Sequence, residues 1–68
     1  MNNYRRMDFS EIKKLKVGDE IAIRVGRHYF DATVVRPMFW NSDADEPDWE
    51  VETDEGFVDV YSIYEITE

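Results

Sequence analysis

The 68-residue chain predicts a mainly β fold: a single closed or nearly closed barrel of five short strands behind a short N-terminal helix. Hydrophobic alternation with a period of two begins at Glu20 and recurs to the end of the chain. Turn signals interrupt it every roughly 6–12 residues, the rhythm of a small sandwich or barrel. With 43% hydrophobic and 15% aromatic residues the chain is too apolar for disorder, yet no apolar run approaches the about 20 residues of a membrane span. Closure is expected because a barrel removes the edges that an open sheet leaves exposed.

Residues 1–7 read as a tail, 8–16 as the helical segment and 17–68 as the barrel. Asp8 stands three residues before Glu11, the spacing of a capping box, and Phe9, Ile12 and Leu15 follow at intervals of three. Val17-Gly18-Asp19 stops the helix. In the first strand Ile21, Ile23 and Val25 alternate with Glu20, Ala22 and Arg24, and Gly26-Arg27 makes a type II′ hairpin connection. The second strand runs from His28 to about Arg36, with Phe30, Ala32 and Val34 inward, and Pro37 ends it. A long acidic loop follows from Asn41 to Asp48, and then a strand with Trp49 and Val51 inward. After the Asp54-Glu55-Gly56 turn, Val58 and Val60 face inward on the fourth strand. A tight turn at Tyr61–Tyr64 leads to a closing strand at Glu65–Thr67. The expected interior is Ile21, Ile23, Val25, Phe30, Ala32, Val34, Trp49, Val51, Val58, Val60, Ile63 and Ile66, plugged at one end by Phe9, Leu15 and Val17.

Composition narrows the function classes. A chain of this length holds one domain and buries only about 60% of the surface its unfolded form exposes, which leaves no room for a large internal pocket. The absence of cysteine removes disulfides, thiolate metal sites and thiol nucleophiles together. His28, the one histidine, reads as an exposed strand residue, and no serine or threonine sits in a nucleophile motif, so no catalytic residue, cofactor or enzymatic activity is expected. Asp43-Ala44-Asp45-Glu46-Pro47-Asp48 alternates carboxylates but lacks the glycine and distal glutamate of a calcium loop, so no metal site is expected. The N-terminus carries no apolar leader, which points to the cytoplasm and away from membranes.

The net charge of −8 is unevenly placed. Up to Arg36 the chain holds eight basic and five acidic residues, a net of +3; beyond it stand eleven acidic residues and no basic one. Such asymmetry builds a field that steers partners. It also disfavours direct binding of nucleic acid, which needs a basic stripe. Glu50 and Glu52, two apart on one strand, point the same way about 6.6–6.8 Å apart, close to the phosphate spacing along one DNA strand. Asp48 extends the row.

Val17-Gly18-Asp19-Glu20-Ile21-Ala22-Ile23 with Tyr29-Phe30-Asp31-Ala32-Thr33-Val34 resembles the opening hairpin of SH3-like barrels of the Tudor and chromo-barrel type. Asp54-Glu55-Gly56-Phe57-Val58-Asp59-Val60 and Ile63-x-x-Ile66 look like the later hairpin, helical turn and last strand of that pattern. The resemblance covers Val17 to Ile66 and implies the SH3-like fold. Its implications for function are broad, because such barrels read peptides, bind nucleic acids and serve as interaction modules. Tudor-type readers cage methylated Lys or Arg in aromatic rings, and Tyr29, Phe39, Trp40 and Tyr61 are the positions able to supply a cage here.

Two sets of residues therefore qualify as a partner-binding site. Asp43, Asp45, Glu46, Asp48, Glu50 and Glu52 form an acidic face suited to a basic protein surface, such as that of a DNA- or RNA-binding protein. Phe39, Trp40, Phe57 and Tyr61 are candidate aromatic anchors, either as one exposed patch or with Phe39 and Trp40 folded as a lid over the barrel end. An exposed patch would also allow a homodimer. The leading expectation is a small acidic docking protein, of the kind that phages or plasmids use as DNA mimics to inhibit host nucleic-acid-binding proteins. The alternative is a Tudor-like reader of methylated Lys or Arg peptides.

Overall fold

The computed structural model describes residues 3–67. Its elements are β1 (Asn3–Arg6), α1 (Phe9–Ile12), β2 (Glu20–Val25), β3 (His28–Asn41), β4 (Asp48–Thr53), β5 (Gly56–Asp59), a 3₁₀ turn (Val60–Ser62) and β6 (Ile63–Thr67). The fold is mainly β, a single antiparallel sheet of six strands in the order β1-β6-β2-β3-β4-β5, and the sheet does not close.

β3 holds this sheet together by belonging to both of its halves. Its N-terminal part pairs with β2 and its C-terminal part with β4. A straight strand of fourteen residues would run about 43 Å. The longest extent of the whole molecule is 37 Å, so β3 bends. The bend falls at two register shifts, between Val34 and Arg36 and between Arg36 and Phe39, each inserting one extra residue on β3. Pro37, expected to end this strand, sits instead at the irregularity, where a missing N–H costs no ladder bond.

The two halves fold toward each other over a core of Ile21, Ile23, Ala32, Val34, Val51, Val58, Val60 and Ile63, with Ile12 of α1 capping it. The expected interior is corrected at four positions. Val25 and Phe30 are 59% and 51% exposed, because β2 and β3 run past the end of the core at their hairpin. Trp49 shares the side of Val51 but lies beyond the core at the other end and is 38% exposed. Ile66 pairs with Tyr4 and is only half-buried. The plug also differs: Phe9 and Val17 are exposed and Leu15 packs only partly, leaving Ile12 as the buried side chain.

Asp8 caps α1 as its spacing predicts. Its carboxylate accepts from the Glu11 amide (2.9 Å) and the Glu11 side chain accepts from the Asp8 amide (3.1 Å). The helix is one turn long rather than spanning 8–16: past Ile12 the amides of Lys14 and Leu15 bond three residues back, to Glu11 and Ile12, and Gly18, with a φ of 95°, then turns the chain toward β2. At the β2–β3 hairpin Gly26 has φ +63° and Arg27 does not, which is the type II′ pattern. A Gly26→Ala substitution is expected to cost about 1–2 kcal/mol, measured by urea denaturation.

The expected tail is a strand. β1 pairs along its length with β6, and Arg5 ties both to the helix, its Nε donating to Glu65 (2.9 Å) and its Nη1 to Glu11 (3.1 Å). These bonds hold the Arg5 pKa up and the Glu11 carboxyl below its usual range. The Asp8 carboxyl is also lowered, first by the Ser10 hydroxyl and then by the Glu11 amide. Both carboxyls are depressed in the folded state, so their stabilisation is complete above the unfolded carboxylate pKa and is lost as pH falls through the folded value. Thermal melts should therefore fall in midpoint as pH drops below about 4, in the range where unfolded carboxylates titrate. Glu11→Gln should flatten that dependence.

Candidate docking face

The outer side of β3, β4 and β5 gathers most of the residues singled out above. Register places Asn41 across from Asp48, Phe39 across from Glu50 and Arg36 across from Glu52. On the other flank of β4, Glu50 faces Asp59 and Glu52 faces Phe57. Direct partners share a face in an antiparallel sheet, so Asp48, Glu50 and Glu52 form a row between a strand carrying Phe39 and Arg36 and one carrying Phe57 and Asp59.

The row is interleaved with aromatic surface rather than bare. Phe39 and Phe57 meet edge to face, centroids 5.9 Å apart, and the Arg36 guanidinium lies 3.7 Å above the Phe39 ring. Asn41 organises the far end: its Nδ2 donates to Glu50 Oε1 (2.8 Å) and its Oδ1 accepts from the Asp43 amide (3.1 Å). One side chain thus orients a carboxylate of the row and the start of the acidic loop. Arg36, Phe39, Asn41, Asp43, Glu50 and Phe57 line an open cleft of about 650 Å³. Asn41→Ala is expected to leave the melting temperature within a few degrees while the Asp43 amide exchanges its hydrogen markedly faster, read by NMR.

The other candidates lie elsewhere. Asp45 and Glu46 are exposed at the tip of the loop, outside the cleft lining. Trp40 also borders the cleft, but its ring turns to the opposite side of the hairpin from Phe39 and packs against Trp49 (5.6 Å, edge to face), which in turn meets Phe9 (6.2 Å). Trp40 remains 50% exposed, so this second aromatic strip also faces solvent. Tyr61, on the 3₁₀ turn, is exposed beside the Arg6 guanidinium, 5.8 Å from its ring centroid. The four expected anchors are therefore divided among three places, with only Phe39 and Phe57 in contact.

The rings considered for a Tudor-type cage separate in the same way. Tyr29 stacks on Tyr4 (4.2 Å, 3° between planes) and meets Tyr64 edge to face at 5.2 Å. This tyrosine group lies on the outer side of the other half-sheet, near the fully buried Ala22, which pairs with Tyr64. Arg24 donates to the Tyr64 hydroxyl (3.3 Å). The group eluded sequence reasoning because Tyr4 belongs to a strand with no apolar alternation. The one available signal was the pair of basic residues, Arg5 and Arg6, able to meet acids near the C-terminus.

His28 is exposed at the β2–β3 hairpin. Among the described residues no group of three or more His, Asp or Glu side chains is placed to hold a metal ion, and no helix is long and apolar enough to cross a membrane. No protein-family model, curated protein or solved structure matches this chain.

Proposed function

We propose that the protein is a non-enzymatic docking module that binds a basic protein surface through the outer face of β3, β4 and β5. The observation that supports this reading most directly is the alignment of Asp48, Glu50 and Glu52 in one row, flanked by the Phe39–Phe57 pair. Carboxylates supply steering and register, and the aromatic pair supplies apolar contact area too small to hold the partner once salt screens the charges. Of the eight basic residues Arg36 is the one that the β3–β4 register places on this face, where it lies over Phe39; Arg5 is paired with Glu11 and Glu65, and Arg6 stands beside Tyr61, past the end of β5.

The architecture is read as an opened SH3-like barrel. The order β6-β2-β3-β4-β5, the long shared strand β3 and the 3₁₀ turn between β5 and β6 support that reading, with β1 as an added strand. A basic surface that normally binds DNA is the favoured target, which would make the chain a DNA mimic and an inhibitor of the kind that phages carry. The test is competition. Proteins retained by the immobilised chain at low salt should be released by duplex DNA and by 0.5 M salt. Retention insensitive to both would overturn the reading.

A further inference from the structure

The sheet fails to close along one seam. β5 has β4 on one side and no partner on the other, while β6 pairs with β2 only at Ala22 and Ile23, leaving Arg24 and Val25 without a neighbour on that side among the described residues. Between these two edges lies a groove of about 420 Å³, with Val25, Phe30, Phe57 and Val58 along its walls and Glu55 and Asp59 beside them. Val25, Phe30 and Phe57 are all exposed, although they are large apolar side chains. An unpaired strand edge carries free N–H and C=O groups ready to pair with another chain.

We propose that this seam takes up an extended segment of the basic partner, which adds to the free edge of β5 as a further strand, with apolar and basic side chains alternating. Side chains pointing inward would pack on Val25, Phe30 and Val58. Those pointing outward would reach Asp59 and the Phe57 ring on the outer face. Charge selects the occupant. The groove lining holds two acids, Glu55 and Asp59, against one cation, Arg24, whose guanidinium donates to the Gly26 carbonyl (2.9 Å) and the Tyr64 hydroxyl (3.3 Å), so its net charge is −1. A second copy of this chain would bring the same two acids and a net charge of −8 against the edge, so self-pairing is opposed where a basic segment is attracted. Main-chain bonds then give affinity and the alternating side chains give selectivity.

This inference rests on the acidic docking reading and is separable from it by experiment. The probe is a capped hexapeptide of alternating Lys and Val, titrated against the labelled chain by NMR, beside the same peptide N-methylated along one edge and a hexalysine. The Lys-Val peptide should slow hydrogen exchange of Gly56–Asp59 amides at least tenfold. N-methylation should abolish that protection, hexalysine should bind at least tenfold more weakly, and Val25→Ala should weaken binding with the melting temperature within about 8 °C of the parent. Shifts confined to Phe39, Glu50 and Glu52 would overturn the seam proposal and leave the docking face standing. Absence of binding by either basic peptide would overturn both. Protection of β5 that grows with the chain's own concentration, without peptide, would assign the edge to a second copy and overturn the seam proposal.

Discussion

The double variant Glu50→Lys, Glu52→Lys is expected to lose partner capture by about a hundredfold or more, because like-charge juxtaposition across an interface costs several kcal/mol. Both side chains are half-buried on the outer face, away from the core formed by Val34, Val51 and Val58, so the fold should survive. A melting temperature within about 5 °C of the parent checks this, since surface changes usually stay near 0.5 kcal/mol each. The control is an equal reversal elsewhere. Glu20 and Asp31 are exposed on the other half of the sheet. Reversing them changes the net charge by the same amount and should leave capture within a few-fold. If the two pairs weaken capture equally, net charge rather than the β4 row is responsible, and the docking face is wrong.

Ile63→Ala is expected to remove about 2–5 kcal/mol of stability. Ile63 is wholly buried, opens β6 and stands directly across from Ile23, so truncation leaves a cavity where the two half-sheets meet. A domain of this size has a total stability of about 3–10 kcal/mol, so the variant should be largely or wholly unfolded at 37 °C. Val25→Ala makes the contrast. Strict alternation would make the two substitutions comparable, but Val25 lies past the end of the core, and its truncation should cost under about 1 kcal/mol by urea denaturation. Equal losses would mean that the core extends to the β2–β3 hairpin after all.

Val25, Phe30 and Trp49 share one lesson. Alternation tells which side of a strand a residue takes, and it did so for Ile21, Ile23, Ala32, Val34, Val51 and Val58. It does not tell where along the strand the opposite half-sheet stops covering that side. A chain of 68 residues has a short core, and strands longer than the core expose apolar residues at both ends. The exposed ends are where the seam groove and the Trp40–Trp49 strip lie.

The acidic row was legible for a related reason. Glu50 and Glu52 share a face because β4 carries no irregularity against β5, so a period of two is enough to align them. On β3 the rule fails at Arg36 and is restored by Phe39. Counting by twos from Val34 puts Arg36 on the core side, whereas the first inserted residue turns it outward across from Glu52, and the second brings Phe39 out beside it. The two insertions cancel, so beyond the second Phe39 and Trp40 stand on the sides that an unbroken count from Val34 gives them, Trp40 toward Trp49.

By itself the sequence determined the β class, the capped first turn of helix, the hairpin at Gly26, the central apolar residues and the polarity of charge between the two parts of the chain. These depend on local backbone preference and on side-chain period, which are properties of neighbouring residues. Only the tertiary structure decided that Asn3–Arg6 joins the sheet, that the sheet stays open beside β5, and that β3 runs on past Pro37 with Arg36 turned outward beside Phe39. Those outcomes turn on contacts between distant strands and on two inserted residues around Pro37: the first exchanges the faces of the side chains that follow it, and the second restores them.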